Sequence, residues 1–555
     1  MSGDAFTYSL HDFYGHRVLF SRKGAPLISV RMMERQKEVS VTSQGGLLVE
    51  VGEKGPSMTL PANATIKVLW LNGIGARLKR FLVLETLEGS SRLALDQVQE
   101  RWASRGINIG FKTIGGVYGV RDTFLDNRAV LVVADDKKMN QKKAEQMGLK
   151  VWWHEEIVDL PKVEIAIDHP QYGLITIDNK NVSPVVRLTA LQKKTITVKN
   201  VEHGIGYDFH GFDDRTLRGE VIVLPDKYGT LAVVNVVPEE VLVAGILPAE
   251  MFATAPMASL KAQAVTARGE IFAKIGKRHV TDPYLLCSEQ HCQVYKGLTA
   301  EHPRTNKAAR ETRGQLAFYE GRLVDSVYSA CCGGHTEANH HVWDQPPSKA
   351  TVGQFDGPLL LSEQKEELSA FFPKGLLIQK PQHWNEKISL QKMNLETEKS
   401  VRAFLKLPRE AAYCGRSTFN QKGDVWRWER NFSYERLNSL IGPLKIGSFV
   451  GIEVLNRGPG GRVKTLKISG TTGDVRIRRE LPIRRFFNNL RSGLFVINRV
   501  TKPETGEKVI QFQGAGFGHG SGMCQQGAIG MAESGHDYRE ILWHYFNGAT
   551  VKSVF

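Results

Sequence analysis

Long apolar runs are missing from this chain of 555 residues. No stretch of about 18 uninterrupted apolar residues occurs, so a helical membrane span is not expected. The N-terminal stretch, with Asp4, His11, Asp12, His16, Arg17 and Arg22, holds no apolar segment of signal-peptide length. The chain as it stands is therefore expected neither to cross a membrane nor to direct its own export. Cysteine is scarce as well, and six cysteines are too few to staple a chain of this size. With 54 glycines and 22 prolines the composition is far from collagenous or low-complexity. Acidic residues are in deficit, 58 against 73 lysines and arginines, for a net charge of +15. Such an excess raises the local concentration of acidic partners, which leaves nucleic acid, anionic lipid and acidic glycan open.

What remains is an ordinary globular composition, 41% hydrophobic and 24% charged. The length is several times the usual domain of roughly 100–200 residues, so a multidomain α+β protein with several cores is expected. Short apolar runs broken by glycine make residues 1–78 a β-rich segment. Residues 79–156 read as an α+β module: a strand, a helix from Ala94 to Ala103 stopped by Gly106, further strands, a Lys-rich helix and a closing strand. Residues 157–237 return to β character. After Pro238 a helix begins with Glu239 and Glu240 in its first turn, where they complement the helix dipole. Ser259 opens a second helix, with Leu260, Ala264, Ala267 and Ile271 at helical spacing and Gly276 as its stop. Residues 346–440, with Pro346, Pro347, Pro373 and Pro381 amid charge, read as an insertion or connecting region. Residues 441–555 are β-rich and end in a helix opened by an Asp537/Glu540 capping box.

The strongest metal signal is CSEQHC, which places Cys287, His291 and Cys292 within six residues, with His279 eight residues upstream of Cys287. Four N/S donors suit a closed tetrahedral zinc site, and a disulfide or buried free thiols is the competing reading. A second group, Cys331, Cys332, His335, His340 and His341, contains adjacent cysteines that cannot both reach one ion without strain. It reads instead as a glycine-kinked loop lining a cleft, with one cysteine bridging to Cys414. The segment GAGFGHGSG at 514–522 misses the dinucleotide fingerprint, so no nucleotide cofactor is implied. Alternating glycines let backbone approach a ligand or another chain closely, which makes His519 either a polar contact or a structural histidine. Glu250 lies in GILPAEMFATAP among Ile246, Leu247, Met251 and Phe252, an apolar setting that favours a protonated carboxyl and suits a proton donor. Any glutamate at a helix end could look the same. Lysine and arginine are spread through all segments and no DNA-binding or base-stacking motif appears, so no nucleic-acid partner is expected.

GILPAEM, LKAQAVTAR, HCQVYKG, the Cys-Gly-Gly-x-Thr-Glu segment at 332–337, GFGHGSGMCQQGAIGMA and YREILWHYFNGATV occur in an order and spacing that resemble the stage II sporulation protein D family, whose relatives include amidase enhancers. The resemblance covers roughly 215–345 and 445–555, making 238–345 and 441–555 two parts of one catalytic domain. It implies a lytic transglycosylase that cuts peptidoglycan between N-acetylmuramic acid and N-acetylglucosamine, preferring strands stripped of their peptides, with Glu250 as the catalytic acid. It implies zinc on His279, Cys287, His291 and Cys292. It also implies glycan contacts by Gln263, Arg268, Gln293, Tyr295, Ser329, Gly333, Gly334, Thr336, Glu337, His519 and Gln525. A periplasmic or cell-envelope location follows from it, as does a cell-wall amidase as partner if the chain is a non-catalytic activator. The sequence departs from the family at Ala267-Arg268-Gly269-Glu270 and at Cys524. Residues 79–156 resemble a sporulation-related repeat (SPOR) module in element order, which implies binding to denuded glycan.

Overall fold

The computed structural model of the chain describes residues 8–555 apart from 54, 89–90, 121–122, 136–138, 178–181, 205–209, 344, 421–424, 502–505 and most of 359–391. It divides into two compact units, one made of Met1–Ala253, Ala267–Leu316 and Ser553–Phe555, the other of Thr254–Thr266 and Ala317–Lys552.

The first unit contains two largely antiparallel sheets in which the segments expected to be separate, 1–78 and 157–237, are interleaved. In one sheet Pro26–Gln36 pairs with Leu231–Pro238, which continues through Glu220–Pro225 and Val186–Ala190 to Leu47–Val51. In the other, Thr65–Ile74 lies between Lys162–His169 and Glu38–Thr42. Leu47–Val51 alternates buried and half-buried positions, the mark of a strand with one face in the core. Leu231–Val237 is buried at every position, as a central strand covered on both faces must be. Local periodicity identifies such strands but carries no information on which distant strand each one pairs with.

The segment expected at 79–156 as an α+β module contains strands and helices running from Arg77 to Asp159. Its six elements run Arg77–Glu88, helix Arg92–Ala103, Ile109–Ile114, Ala129–Ala134, helix Gln141–Gln146 and Trp152–Asp159, with an extra strand pair, Val117–Val120 and Thr123–Asp126. The antiparallel sheet orders the strands fourth, first, third, second. Ser91 caps the first helix by accepting from the Ala94 amide, and Val98 and Trp102 on its inner face pack onto Leu82, Leu84 and Val132.

In the second unit the three strands Arg427–Ser433, Lys508–Ala515 and Phe495–Thr501 make one sheet, and Phe449–Arg457, Val463–Gly470 and Gly473–Arg478 another. Phe432, Phe487, Phe495 and Phe512 meet in a ring cluster with centroid spacings of 4.9–5.7 Å. The expected connecting region, 346–440, is therefore only partly that: Arg427–Ser433 is a full partner of Lys508–Ala515, and Val401 and Phe404 pack on Leu494 and Val496. Pro373 and Pro381 lie outside the described residues. The final helix, Tyr538–Tyr545, has both hydrogen bonds of the capping box between Asp537 and Glu540. Among the described residues no helix is long and apolar enough to cross a membrane.

Candidate functional site

Glu250 is the last residue of the helix Glu239–Glu250, half-buried, with Met251 buried and Phe252 exposed beyond it. This helix is fixed at its start and along its side. In its first turn Glu239 pairs with Arg268, both side chains wholly buried. Arg268 comes from the helix Met257–Lys274 and also donates to the carbonyls of Gln315 (3.3 Å) and Ala309 (3.4 Å). Burial pushes the Glu239 carboxyl up, and Arg268 pulls against that rise. At Gly245 a Cβ would lie 2.6 Å from the Tyr295 ring, so the missing side chain lets helix and ring close together. Tyr295 in turn donates to Asn235 at 3.0 Å, and Asn235 ties down the carbonyls of Arg218 and Glu220.

Arg268 and Tyr295, expected among the glycan contacts, are thus internal braces. Gln293 is buried and donates to the Ala267 carbonyl at 3.1 Å. Gln263 is buried and accepts from Gln525 at 3.3 Å. Thr336 is buried, donating to Gln354 O and accepting from the Gln354 amide at 3.0 Å. A group sealed from solvent and bonded inside the protein shapes a surface without touching a ligand on it.

The four expected metal ligands do come together, all in the first unit. Gly276, at φ +69°, ends the helix, and His279, at φ 56°, turns the chain back. Cys287 is held by a short parallel pairing of Leu286–Cys287 with Val30 and Arg31. Cys292 Sγ lies 3.4 Å from His279 Nε2, and His291 Nδ1 is 3.8 Å from both sulfurs. All four donor atoms lie within 4.8 Å of one another. Donors bound at roughly 2.0–2.3 Å in a tetrahedron stand about 3.4–3.8 Å apart, so the set has the dimensions of a zinc cage. His279 Nδ1 is bonded to Asp282 at 3.0 Å, which leaves Nε2 for the metal, and Asp282 is held by Lys227 at 2.9 Å. The Cys292 thiol is pushed down to about 6, chiefly by its hydrogen bond with Cys287, with Lys274 adding to the effect. Cys287 is pushed up by the same bond and by burial.

In the second unit the glycine run approaches another part of the chain. Gly516, Gly518, Gly520 and Gly522 all have positive φ, and the run lies against the Cys-Gly-Gly loop through a two-way bridge between Cys331 and Phe517 and a further bridge between Glu337 and Ser521. Gly333 completes the fit, since a Cβ there would stand 2.6 Å from the Gly516 nitrogen; Gly334 is likewise closed off, by Trp426. Ser329 is buried beneath Gly518. His519 is half-buried, accepts from the Ser521 amide at 3.1 Å and stacks edge-on to Trp343 at 4.7 Å. Trp343 and Phe517 are exposed, and the Arg491 guanidinium stands 5.9 Å from the Phe517 ring.

Glu337 has no exposed surface. Oε1 accepts from the amides of Ala338 (3.0 Å) and Gly460 (3.1 Å), and Oε2 from that of Arg462 (3.2 Å). Burial pushes its carboxyl up while Arg462 and these amides hold it down. The expected bridge to Cys414 is corrected in one respect: Cys332 Sγ approaches Cys414 Sγ to 3.7 Å, but all six cysteines are free. Asp356 and Cys524, which nothing local in the sequence connects to this loop, meet the same two sulfurs.

Residues 227–319 match the family described as Stage II sporulation protein, and residues 365–522 match a Domain of unknown function (DUF8618), which crosses the boundary expected at 440. The chain is similar to the amidase enhancer of Bacillus subtilis (strain 168), 27% identical over 56% of this chain and 40% of that protein. It is similar to an uncharacterized protein of Brachyspira hyodysenteriae, 27% identical over 60% of this chain and 71% of the relative. It is also similar to the stage II sporulation protein D of Bacillus amyloliquefaciens, 22% identical over 61% of this chain and 81% of the relative. The match thus spans under half the length of the amidase enhancer.

Proposed function

As a protein of the stage II sporulation protein D and amidase-enhancer family, this chain is, we propose, a peptidoglycan lytic transglycosylase acting on denuded glycan strands, with Glu250 as its one acid and base. The observation that carries this reading is the contrast between two carboxylates. Glu250 ends a braced helix and is half-buried, whereas Glu337 is wholly buried and anchors a sealed turn through backbone amides. Glycosidases that place a water or form a covalent sugar ordinarily need two working carboxylates. With one, the economical route is intramolecular. Glu250 gives its proton to the glycosidic oxygen as the bond to the muramic C1 breaks. The oxocarbenium-like sugar is then closed by its own 6-hydroxyl oxygen, whose proton returns to Glu250. The products carry 1,6-anhydro ends.

The lactyl carboxylates of denuded strands complement a chain of net charge +15. Trp343, Phe517 and His519 offer an apolar face for sugar rings, with Arg491 beside it as a cation. The module at 77–159, read as SPOR-like, supplies a second glycan-binding element. His279, Cys287, His291 and Cys292 would hold a structural Zn2+, which would lock the loop following the helix Met257–Lys274. An envelope location accords with the substrate.

The name of the Bacillus subtilis relative favours one other reading, a glycan-binding activator of a cell-wall amidase. Mass spectrometry of denuded glycan incubated with the purified chain separates the two. Anhydro-ended fragments support the transglycosylase, while intact glycan together with faster stem-peptide release by an added amidase would replace it with the activator.

A further inference from the structure

The second unit holds a buried cluster whose chemistry the glycan reaction does not use. Cys332 from the Cys-Gly-Gly loop, Asp356, Cys414 from the short helix Tyr413–Arg416 and Cys524 from the end of the glycine run bring three thiols and a carboxylate together, with all ligand atoms within 4.8 Å of one another. None of the four has any exposed surface. Cys332 Sγ is 3.1 Å from Asp356 Oδ2 and 3.7 Å from Cys414 Sγ. That sulfur spacing is far too long for a disulfide bond of about 2.05 Å. It equals the edge of a tetrahedron whose centre lies about 2.3 Å from each sulfur, the zinc–thiolate distance.

From this geometry we propose that Cys332, Cys414, Cys524 and Asp356 form a second, closed zinc site, independent of the cluster in the first unit and of the reaction proposed for Glu250.

The cluster lies within the apolar core of the second unit, beside Tyr413, Met523 and Tyr545, and its polar contacts are those of a metal centre. Cys524 is the N-cap of the helix Gln525–Glu533, and its sulfur accepts the amides of Gly527 (3.2 Å) and Cys332 (3.1 Å). Amide donors at a helix N-terminus favour a thiolate. Asp356 is oriented from outside: the Tyr545 hydroxyl donates to Oδ1 at 2.6 Å and His544 Nε2 stands 3.6 Å from the same atom, which turns Oδ2 toward the sulfurs. Second-shell partners of this kind fix ligand carboxylates in metal sites. A Cβ on Gly527 would fall 2.7 Å from Asp356 Oδ2, so the backbone has closed down on the carboxylate. Three thiolates and a carboxylate around Zn2+ leave a charge of −2. Two guanidinium groups bound to the same loop offset it: Arg462 donates to Cys332 O at 2.9 Å and Arg427 to Gly333 O at 3.0 Å. Cys331 also neighbours Cys414 and Cys524, but its main chain is engaged with Phe517 and it is not a member of the four-atom cage. With every coordination position filled by protein, the ion would pin the Cys-Gly-Gly loop to two other segments and activate no water.

The test is zinc content of the full chain, produced with added zinc and purified under reducing conditions. About two equivalents per chain are expected. Cys287→Ser/Cys292→Ser should retain the second-unit zinc, Cys414→Ser and Cys524→Ser should each lose it, and Cys331→Ser should keep the wild-type content. A single wild-type equivalent lost in Cys414→Ser would support this site while removing the one in the first unit. If Cys414→Ser and Cys524→Ser do not fold, cobalt(II) loaded into Cys287→Ser/Cys292→Ser should give the absorption of a tetrahedral thiolate-bound cobalt. Absence of that absorption, zinc that persists in folded Cys414→Ser, loss of zinc in Cys331→Ser, or a Cys332–Cys414 disulfide in non-reducing peptide maps of the chain as purified would overturn the proposal.

Discussion

Arg268 and Glu239 form an ion pair with no solvent exposure on either side chain, and it joins the helix that follows the Glu250 loop to the first turn of the helix that ends in Glu250. Removing one partner of such a pair leaves an uncompensated buried charge, which costs about 3–5 kcal/mol. Arg268→Ala should therefore lower stability by about that amount in chemical denaturation at neutral pH. The loss should shrink in acid. Burial alone raises the Glu239 carboxyl, and without Arg268 that rise is unopposed. The folded variant then holds a proton that the unfolded chain releases above its ordinary glutamate range, so its stability falls as pH climbs from there toward the raised value. A deficit that stays constant across that window would show that Glu239 is not the group responsible.

Glu250→Gln should abolish release of glycan fragments while leaving binding to denuded strands within a few-fold of wild type, because the amide keeps the shape but delivers no proton. Residual cleavage above a tenth of wild type, a barrier change under about 1.4 kcal/mol, would remove Glu250 from the acid role.

Cys287→Ser and Cys292→Ser should each lose the first-unit zinc and melt earlier, since a closed site contributes its binding energy to folding. A strong chelator should lower the melting temperature of the wild type and much less that of these variants. Metal-free wild-type protein that melts at the same temperature as the zinc-loaded form would count against a structural metal there.

Glu337→Gln replaces an acceptor oxygen with an N–H group facing a backbone donor in a sealed turn, so a loss of about 1–3 kcal/mol of stability is expected. Below its melting range the variant should still produce 1,6-anhydro ends. If cleavage in heavy-oxygen water instead put the label on new reducing ends, and Glu337→Gln were as inactive as Glu250→Gln, the reaction would be a hydrolysis with two carboxylates.

Several features of the site could be read from neighbouring residues alone. The four-donor cluster of the first unit was legible because three of its donors lie within six residues and the fourth follows a helix stop, so local chain geometry almost suffices to close it. The strands and helices of 77–159 were legible for the same reason, each set by its own local periodicity. The final helix announced itself through its capping box. Misread were the residues whose role depends on what covers them. Arg268, Tyr295 and Thr336 look like ligand-binding polar groups in a linear motif, and only the buried partners Glu239, Asn235 and Gln354 identify them as braces.

The sequence by itself determined the secondary-structure alphabet and the donor cluster at 279–292, because each depends on spacings of a few residues that the backbone geometry of helices and turns converts directly into proximity; Glu250 became a candidate acid only through the family resemblance. Only the tertiary structure decided that strands from 26–60 share a sheet with strands from 186–238. It also brought Cys332, Asp356, Cys414 and Cys524 to one point. Contacts between residues so far apart in the chain arise from the packing of whole elements to bury apolar faces, and that packing leaves no periodic trace in the residues it brings together.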